Sequence, residues 1–179
     1  MGYHFRILWV AAAFSFAPRA LAYEQEPNGW SGFKWKTTLT AFLKDKNVRK
    51  VHKQPQKIEQ ALAQRGGIYL ELAGSYAKIP IKQVFYFNKD QLLFQVDLLY
   101  ADTAAIGAED IDKIKGELIK SFGAPSTDRG VFLNWTGSIT HIEFAVQNPL
   151  QGRSAQVRLL DPTQLQAAGP EFQMPPLER

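Results

Sequence analysis

The chain has 179 residues, no cysteine and a formal net charge of +4. Without a thiol there is no disulfide framework, no thiol nucleophile, no cysteine metal site and no cysteine to carry a lipid anchor. Arg6 and Arg19 carry two of the four net charges, so beyond residue 22 the chain is not basic overall; its basicity is confined to one segment.

Arg6 and the amino terminus form a short positive start, followed by the uncharged, nearly all apolar run Ile7–Ala17. Pro18 breaks the run, and Ala20-Leu21-Ala22 presents small residues where a signal peptidase reads. This is the three-part pattern of a secretory signal peptide, with cleavage expected after Ala22. The run falls short of the ~20 residues a spanning helix needs. The protein is therefore expected to be exported, periplasmic in a Gram-negative bacterium and secreted otherwise, and not membrane-spanning after cleavage. Residues 23–29 read as a flexible leader, 30–161 as a single domain, and 162–179, rich in proline and small polar residues, as a mobile tail.

Alternation in Trp30–Trp35 predicts a short strand with Phe33 and Trp35 on one face. Thr37 or Thr38 is placed to cap a helix whose apolar positions are Leu39, Phe42 and Leu43. The basic segment 44–57 follows as a loop, with Lys44, Lys46, Arg49, Lys50, Lys53 and Lys57 against the single acid Asp45. Pro55 is suited to the first turn of a second short helix that turns Ile58, Ala61 and Leu62 inward and ends at Gly66-Gly67. Ile68, Leu70 and Leu72 alternate with polar neighbours. Ile81–Phe87 and Leu92–Leu99 read as an antiparallel hairpin around Asn88–Gln91. Within it, Leu92, Phe94, Val96 and Leu98 alternate with Leu93, Gln95, Asp97 and Leu99, which places Gln95 and Asp97 on the wetter face. Pro80 belongs at a strand start or a bulge, because it has no N–H for the ladder.

Ile111, Ile114, Leu118 and Phe122 form a helical stripe widened by Ile119. Glu109 and Asp110 lie in its first turn, and Gly123-Ala124-Pro125 stops it. Val131–Trp135 and Ile139–Gln147 are predicted strands joined through Thr136-Gly137-Ser138, with Ile142, Phe144 and Val146 inward and His141 and Glu143 outward. Ala155–Leu160 is a further strand. The expected fold is α+β: an antiparallel sheet of about five strands, with one main amphipathic helix at about 109–122 and short N-terminal helices packed on one face.

Chemistry is sparse. His141 and Glu143 share a strand face, where a His-x-Glu pair serves as metal ligands or as a base and its orienter, with Asp97 or Glu71 as a third group. Against this stands a solvated polar strand face, and no metal or cofactor is expected. No Gly-x-Ser-x-Gly elbow or phosphate loop occurs. The basic segment, with Lys46, Arg49, Lys50, His52 and Lys53 at its centre, suits an acidic surface or an envelope protein; as a solvated loop it does nothing. It lacks the aromatic interleaving that single-stranded nucleic acid requires, and export makes a nucleic-acid role unexpected. Trp30 and Trp35 read either as a binding patch or as core closure.

The stretch Trp30-Ser31-Gly32-Phe33-Lys34-Trp35-Lys36-Thr37 resembles an opening of small uncharacterised exported bacterial proteins: aromatic-x-Gly-x-x-Trp-Gly-Ser/Thr, then a short helix. Phe85–Tyr100, Ile111–Pro125 and Trp135–Val146 are similar in arrangement to their hairpin, Gly-x-Pro-ended helix and tryptophan-bearing hairpin. Lys36 departs from the usual glycine. The resemblance implies export and fold and carries no catalytic residue. The leading expectation is an exported, non-enzymatic accessory or binding protein acting through a sheet face or the basic loop 44–57. The alternatives are a hydrolase or metal-dependent enzyme using His141, Glu143 and Asp97, and a carrier of a small apolar ligand.

Overall fold

Alternating apolar residues make strand the commonest element of this chain, and the computed structural model describes residues 23, 25–58, 60, 67–100, 106–147 and 154–165. The expected signal peptide at 1–22, Ala61 and Leu62 of the second helix, and residues 166–179 of the expected tail lie outside the described residues.

Ser31 and Gly32, both at positive φ, close a tight turn in which Trp30 and Phe33 exchange backbone hydrogen bonds of 2.8 and 2.9 Å. The strand expected across Trp30–Trp35 is therefore corrected to a turn. Lys36 also sits at positive φ, 64°, while its N–H donates to the Leu93 carbonyl at 2.9 Å. Thr38 caps α1 (Leu39–Phe42) by accepting from the Ala41 N–H at 3.2 Å. Asp45 then caps α2 (Lys46–Val51), accepting from the N–H groups of Asn47 and Val48. The expected loop at 44–57 is thus partly helical, because its one acid serves as a helix cap rather than as a surface charge. Residues 55–58 form a further helical turn, with Ile58 half-buried.

β1 (Ile68–Tyr76) and β2 (Ile79–Phe87) pair along their whole length around the two-residue turn Ala77-Lys78, both residues at positive φ. Pro80 lies at the start of β2, beyond the ladder that begins at Ile81↔Tyr100 with β3 (Leu93–Tyr100). That ladder contains a bulge: Tyr86 faces Gln95, whereas Phe87 faces Leu93. Phe94 is the extra residue. It packs with Val84 and Tyr86 on one face, while Leu93 joins the core on the other. The simple alternation expected from Leu92 onwards is corrected accordingly.

α3 (Ala108–Phe122) buries Ile111, Ile114, Leu118 and Phe122, as the stripe predicts, but Ile119 remains 42% exposed. Three short strands follow, β4 (Thr127–Asp128), β5 (Phe132–Trp135) and β6 (His141–Gln147), then β7 (Ser154–Leu160) and α4 (Pro162–Leu165). The sheet is antiparallel with order β1-β2-β3-β7-β6-β5-β4. The expectation of an α+β domain with about five strands is overturned: the sheet has seven strands and strand outweighs helix. The reason is local. β1 extends past Leu72 because Ala77-Lys78 turns the chain without the usual turn residues, and β4 is too short to show a period.

One face of the sheet, through Phe85, Val96, Leu98, Val157, Ile142, Phe144 and Trp135, shares a single core with Leu39, Phe42 and Val48 of the short helices and with the α3 stripe. Phe122 meets Trp135 edge-on at 6.4 Å. The leader is tied to the β5–β6 turn. Tyr23 donates to the Thr140 carbonyl at 3.0 Å, and the Glu26 carboxylate accepts from the N–H groups of Ile139 and Thr140. A Cβ on Gly137 would collide with the Thr140 backbone carbonyl as well as with the Glu26 carboxylate, so this close approach requires glycine.

Candidate functional site

Two features gather chemistry-bearing residues: the sheet face turned away from the helices, and the basic surface around α2. On the outer face, antiparallel register sets Asp97 opposite Arg158, and Arg158 opposite Glu143. Residues from three strands, distant in sequence, thereby form one row. Arg158 Nε donates to Asp97 Oδ1 at 3.2 Å, and its Nη1 lies 3.8 Å from Glu143 Oε2. His141 Nε2 stands 3.3 Å from the other Glu143 oxygen.

Asp97 is 3% exposed, so the face expected to be wetter is buried at its centre. Its carboxylate accepts four hydrogen bonds. Gln95 Nε2 at 3.0 Å joins Arg158 on Oδ1, and Gln156 Nε2 at 2.8 Å joins the Tyr86 hydroxyl at 3.3 Å on Oδ2. Burial raises the Asp97 carboxyl above its ordinary range, and Arg158 and the hydrogen-bond donors pull against that rise. Burial, together with the neighbouring Asp97 charge, also raises the Tyr86 phenol. Glu143 moves the other way: the hydrogen bond from His141 lowers it, its partial burial opposes, and the His141 and Arg158 charges add to the lowering.

The row therefore connects all three catalytic candidates, but Arg158 stands between Asp97 and the His141–Glu143 pair. A base needs a lone pair directed at a substrate; both Asp97 oxygens are occupied, and Arg158 neutralises a carboxylate on either side. Among the described residues, no group of three or more His, Asp or Glu side chains is placed to hold a metal ion. Arg158, Gln156 and Tyr86 were not among the expected site residues. The signal available was their parity: Gln156 and Arg158 alternate with Val157 and Leu159, so both had to lie on the face opposite the core.

Trp30 and Trp35 are both turned to the interior. Trp30 donates its indole N–H to Gln83 Oε1 at 2.8 Å and lies 5.6 Å from the Tyr76 ring. Trp35 is 7% exposed and donates to the Thr140 hydroxyl at 2.6 Å.

The basic surface has a different build. Val48 is completely buried in the core and fixes the inner side of α2. His52 Nε2 lies 3.0 Å from the Glu71 carbonyl, which ties the end of the helix to edge strand β1. Arg49 Nε donates to the Leu43 carbonyl at 3.3 Å. With the backbone held at these points, Lys44, Lys46, Arg49, Lys50, Lys53 and Lys57 are left exposed. None of the six lies within ion-pair distance of a carboxylate among the described residues. Two of the three lysines of α3 behave otherwise: Lys113 reaches Glu109 at 3.1 Å, and Lys120 reaches Glu117 at 3.6 Å. Val51, at the end of α2, is 57% exposed among these cations. Lys53–Lys57 line a shallow open depression beside it.

No family model matches the chain, and neither does any curated protein or solved structure.

Proposed function

We propose that this chain is an exported binding protein without catalytic activity of its own, and that the basic surface at 44–57 is where it meets an acidic partner of the cell envelope. The observation that carries the reading is the set of six cations that have no carboxylate partner among the described residues, on a short segment fastened to the core. Concentrating like charge on a fixed backbone costs self-repulsion, which an acidic partner would relieve. Export rests on the amino-terminal pattern before Ala22. It is also supported by the likeness of Trp30–Thr37 to the opening of small exported bacterial proteins, periplasmic in Gram-negative hosts and secreted in others. Lys36 adopts the positive φ that the glycine of that opening would supply, which favours the likeness where the residue itself departs from it.

The enzyme reading using His141, Glu143 and Asp97 is disfavoured by the four donors on Asp97 and by the intervening Arg158. The test uses immobilised protein and an envelope extract. Wild type should retain an acidic component, and Lys50→Glu with Lys53→Glu should release it while circular dichroism stays unchanged. Retention that ignores these two changes removes the basic surface from the account.

A further inference from the structure

We infer that the acidic partner of the basic surface is the anionic phospholipid headgroup layer of a bilayer, on which the protein sits peripherally; this rests on the reading of that surface just given. Three observations favour a lipid surface over a protein carboxylate site. Five of the six cations are lysines, compact point charges on flexible stems. Such charges suit a laterally mobile array of phosphates, whereas recognition of one fixed carboxylate favours the planar fork of arginine. The single guanidinium, Arg49, already spends its Nε on the Leu43 carbonyl. Val51 stands exposed between Lys50 and Lys53, an apolar side chain that water leaves unburied but that the boundary between headgroups and acyl chains would cover.

The segment is also held so that these groups move as one surface. Val48 is buried, Asp45 turns its carboxylate into the helix cap, and His52 is bonded to β1, so no acid of α2 opposes the lipid. Among the described residues no helix is long and apolar enough to cross a membrane, so contact through this face would be adsorption and not insertion of a span.

The experiment is co-sedimentation of the protein, as processed by the exporting cell, with vesicles of phosphatidylcholine alone or mixed in equal parts with phosphatidylglycerol. The protein should pellet with the mixed vesicles, stay in solution with phosphatidylcholine, and be released by high salt. Each lysine removed should lower the partition coefficient about fivefold, so Lys50→Ala with Lys53→Ala should lower it roughly 25-fold. Val51→Leu should raise it about fourfold, the effect of one more buried methylene, and Val51→Ser should lower it. A merely structural role for Val51 does not predict the gain in the leucine variant. Equal pelleting with both vesicle types, or no response to the lysine and Val51 changes, overturns the inference. If the vesicles fail but soluble polyglutamate binds in a Lys50- and Lys53-dependent way, the lipid inference falls and the basic surface stands. If neither binds, both fall.

Discussion

At Asp97 a carboxylate lies 3% exposed under four hydrogen-bond donors drawn from three strands. Such a group is expensive to disturb, because removing it strands a half-buried guanidinium and three polar donors. Asp97→Ala should cost about 3–5 kcal/mol of stability, measured by urea unfolding. The titration has a definite sign. Burial raises the folded-state carboxyl above its unfolded value near 3.8, so folding takes up a proton there. Stability should therefore rise as pH falls through the folded value towards the unfolded one. Asp97→Asn should lack that rise. Glu143, lowered by His141, works in the opposite direction: its contribution is present above its ordinary value near 4.5 and is lost as pH falls through the depressed one. Urea midpoints of wild type and both Asp97 variants between neutral and mildly acidic pH separate these effects. The candidate row was half legible in the sequence. Asp97, His141 and Glu143 stood out as polar residues on apolar strands, but Arg158, which joins them, lies 61 positions from Asp97.

Among the elements, the β1–β2 hairpin departs most from its local chemistry. Its two turn residues, Ala77 and Lys78, both have positive φ, where a two-residue hairpin ordinarily places Asn-Gly. A left-handed conformation costs a non-glycine residue roughly 1 kcal/mol. Ala77→Asn with Lys78→Gly should therefore raise stability by about 1 kcal/mol or more, read as a higher denaturation midpoint with an unchanged m-value. The same mismatch explains why the turn was invisible beforehand. Asn88–Gln91, by contrast, carries turn residues and was readable: the Asn88 side chain accepts from the Asp90 and Leu92 N–H groups, each at 3.0 Å. α3 is the best-specified element, since its stripe, acidic first turn and glycine stop all agree. Ile114 is completely buried, so Ile114→Asp places a carboxylate in the core and should abolish cooperative unfolding. Thermal melting monitored by tryptophan fluorescence would show it.

Across the whole molecule, charge is divided by role. α3 pairs Lys113 and Lys120 with carboxylates three or four residues away, and the outer sheet face pairs Arg158 with the carboxylates on either side of it. The surface around α2 leaves six cations without a carboxylate in ion-pair distance among the described residues. Because Lys50 and Lys53 take part in no such pair, reversing both should leave the melting temperature nearly unchanged while it alters retention of an acidic partner. A large loss of stability would mean that these lysines serve the fold. The two faces of the sheet also differ in kind. One is apolar and closed by helices, and the other encloses a charged network under aromatic residues such as Tyr86 and Phe94.

Local patterning alone identified the α3 stripe, the inward set Ile142, Phe144 and Val146, the stop at Gly123, and a cap at Thr37 or Thr38, of which the structure uses Thr38, because each depends on residues no more than a turn or a strand apart. Strand order is not local in this way. β7 enters between β3 and β6, and that pairing alone brings Arg158 to Asp97 and Glu143 and buries a face whose residues read as wet. The bulge at Phe94 likewise arises only when β2 and β3 are matched along their length. Hydrogen bonds between distant strands are set by the closure of the whole sheet around its core, and no window of neighbouring residues contains that information.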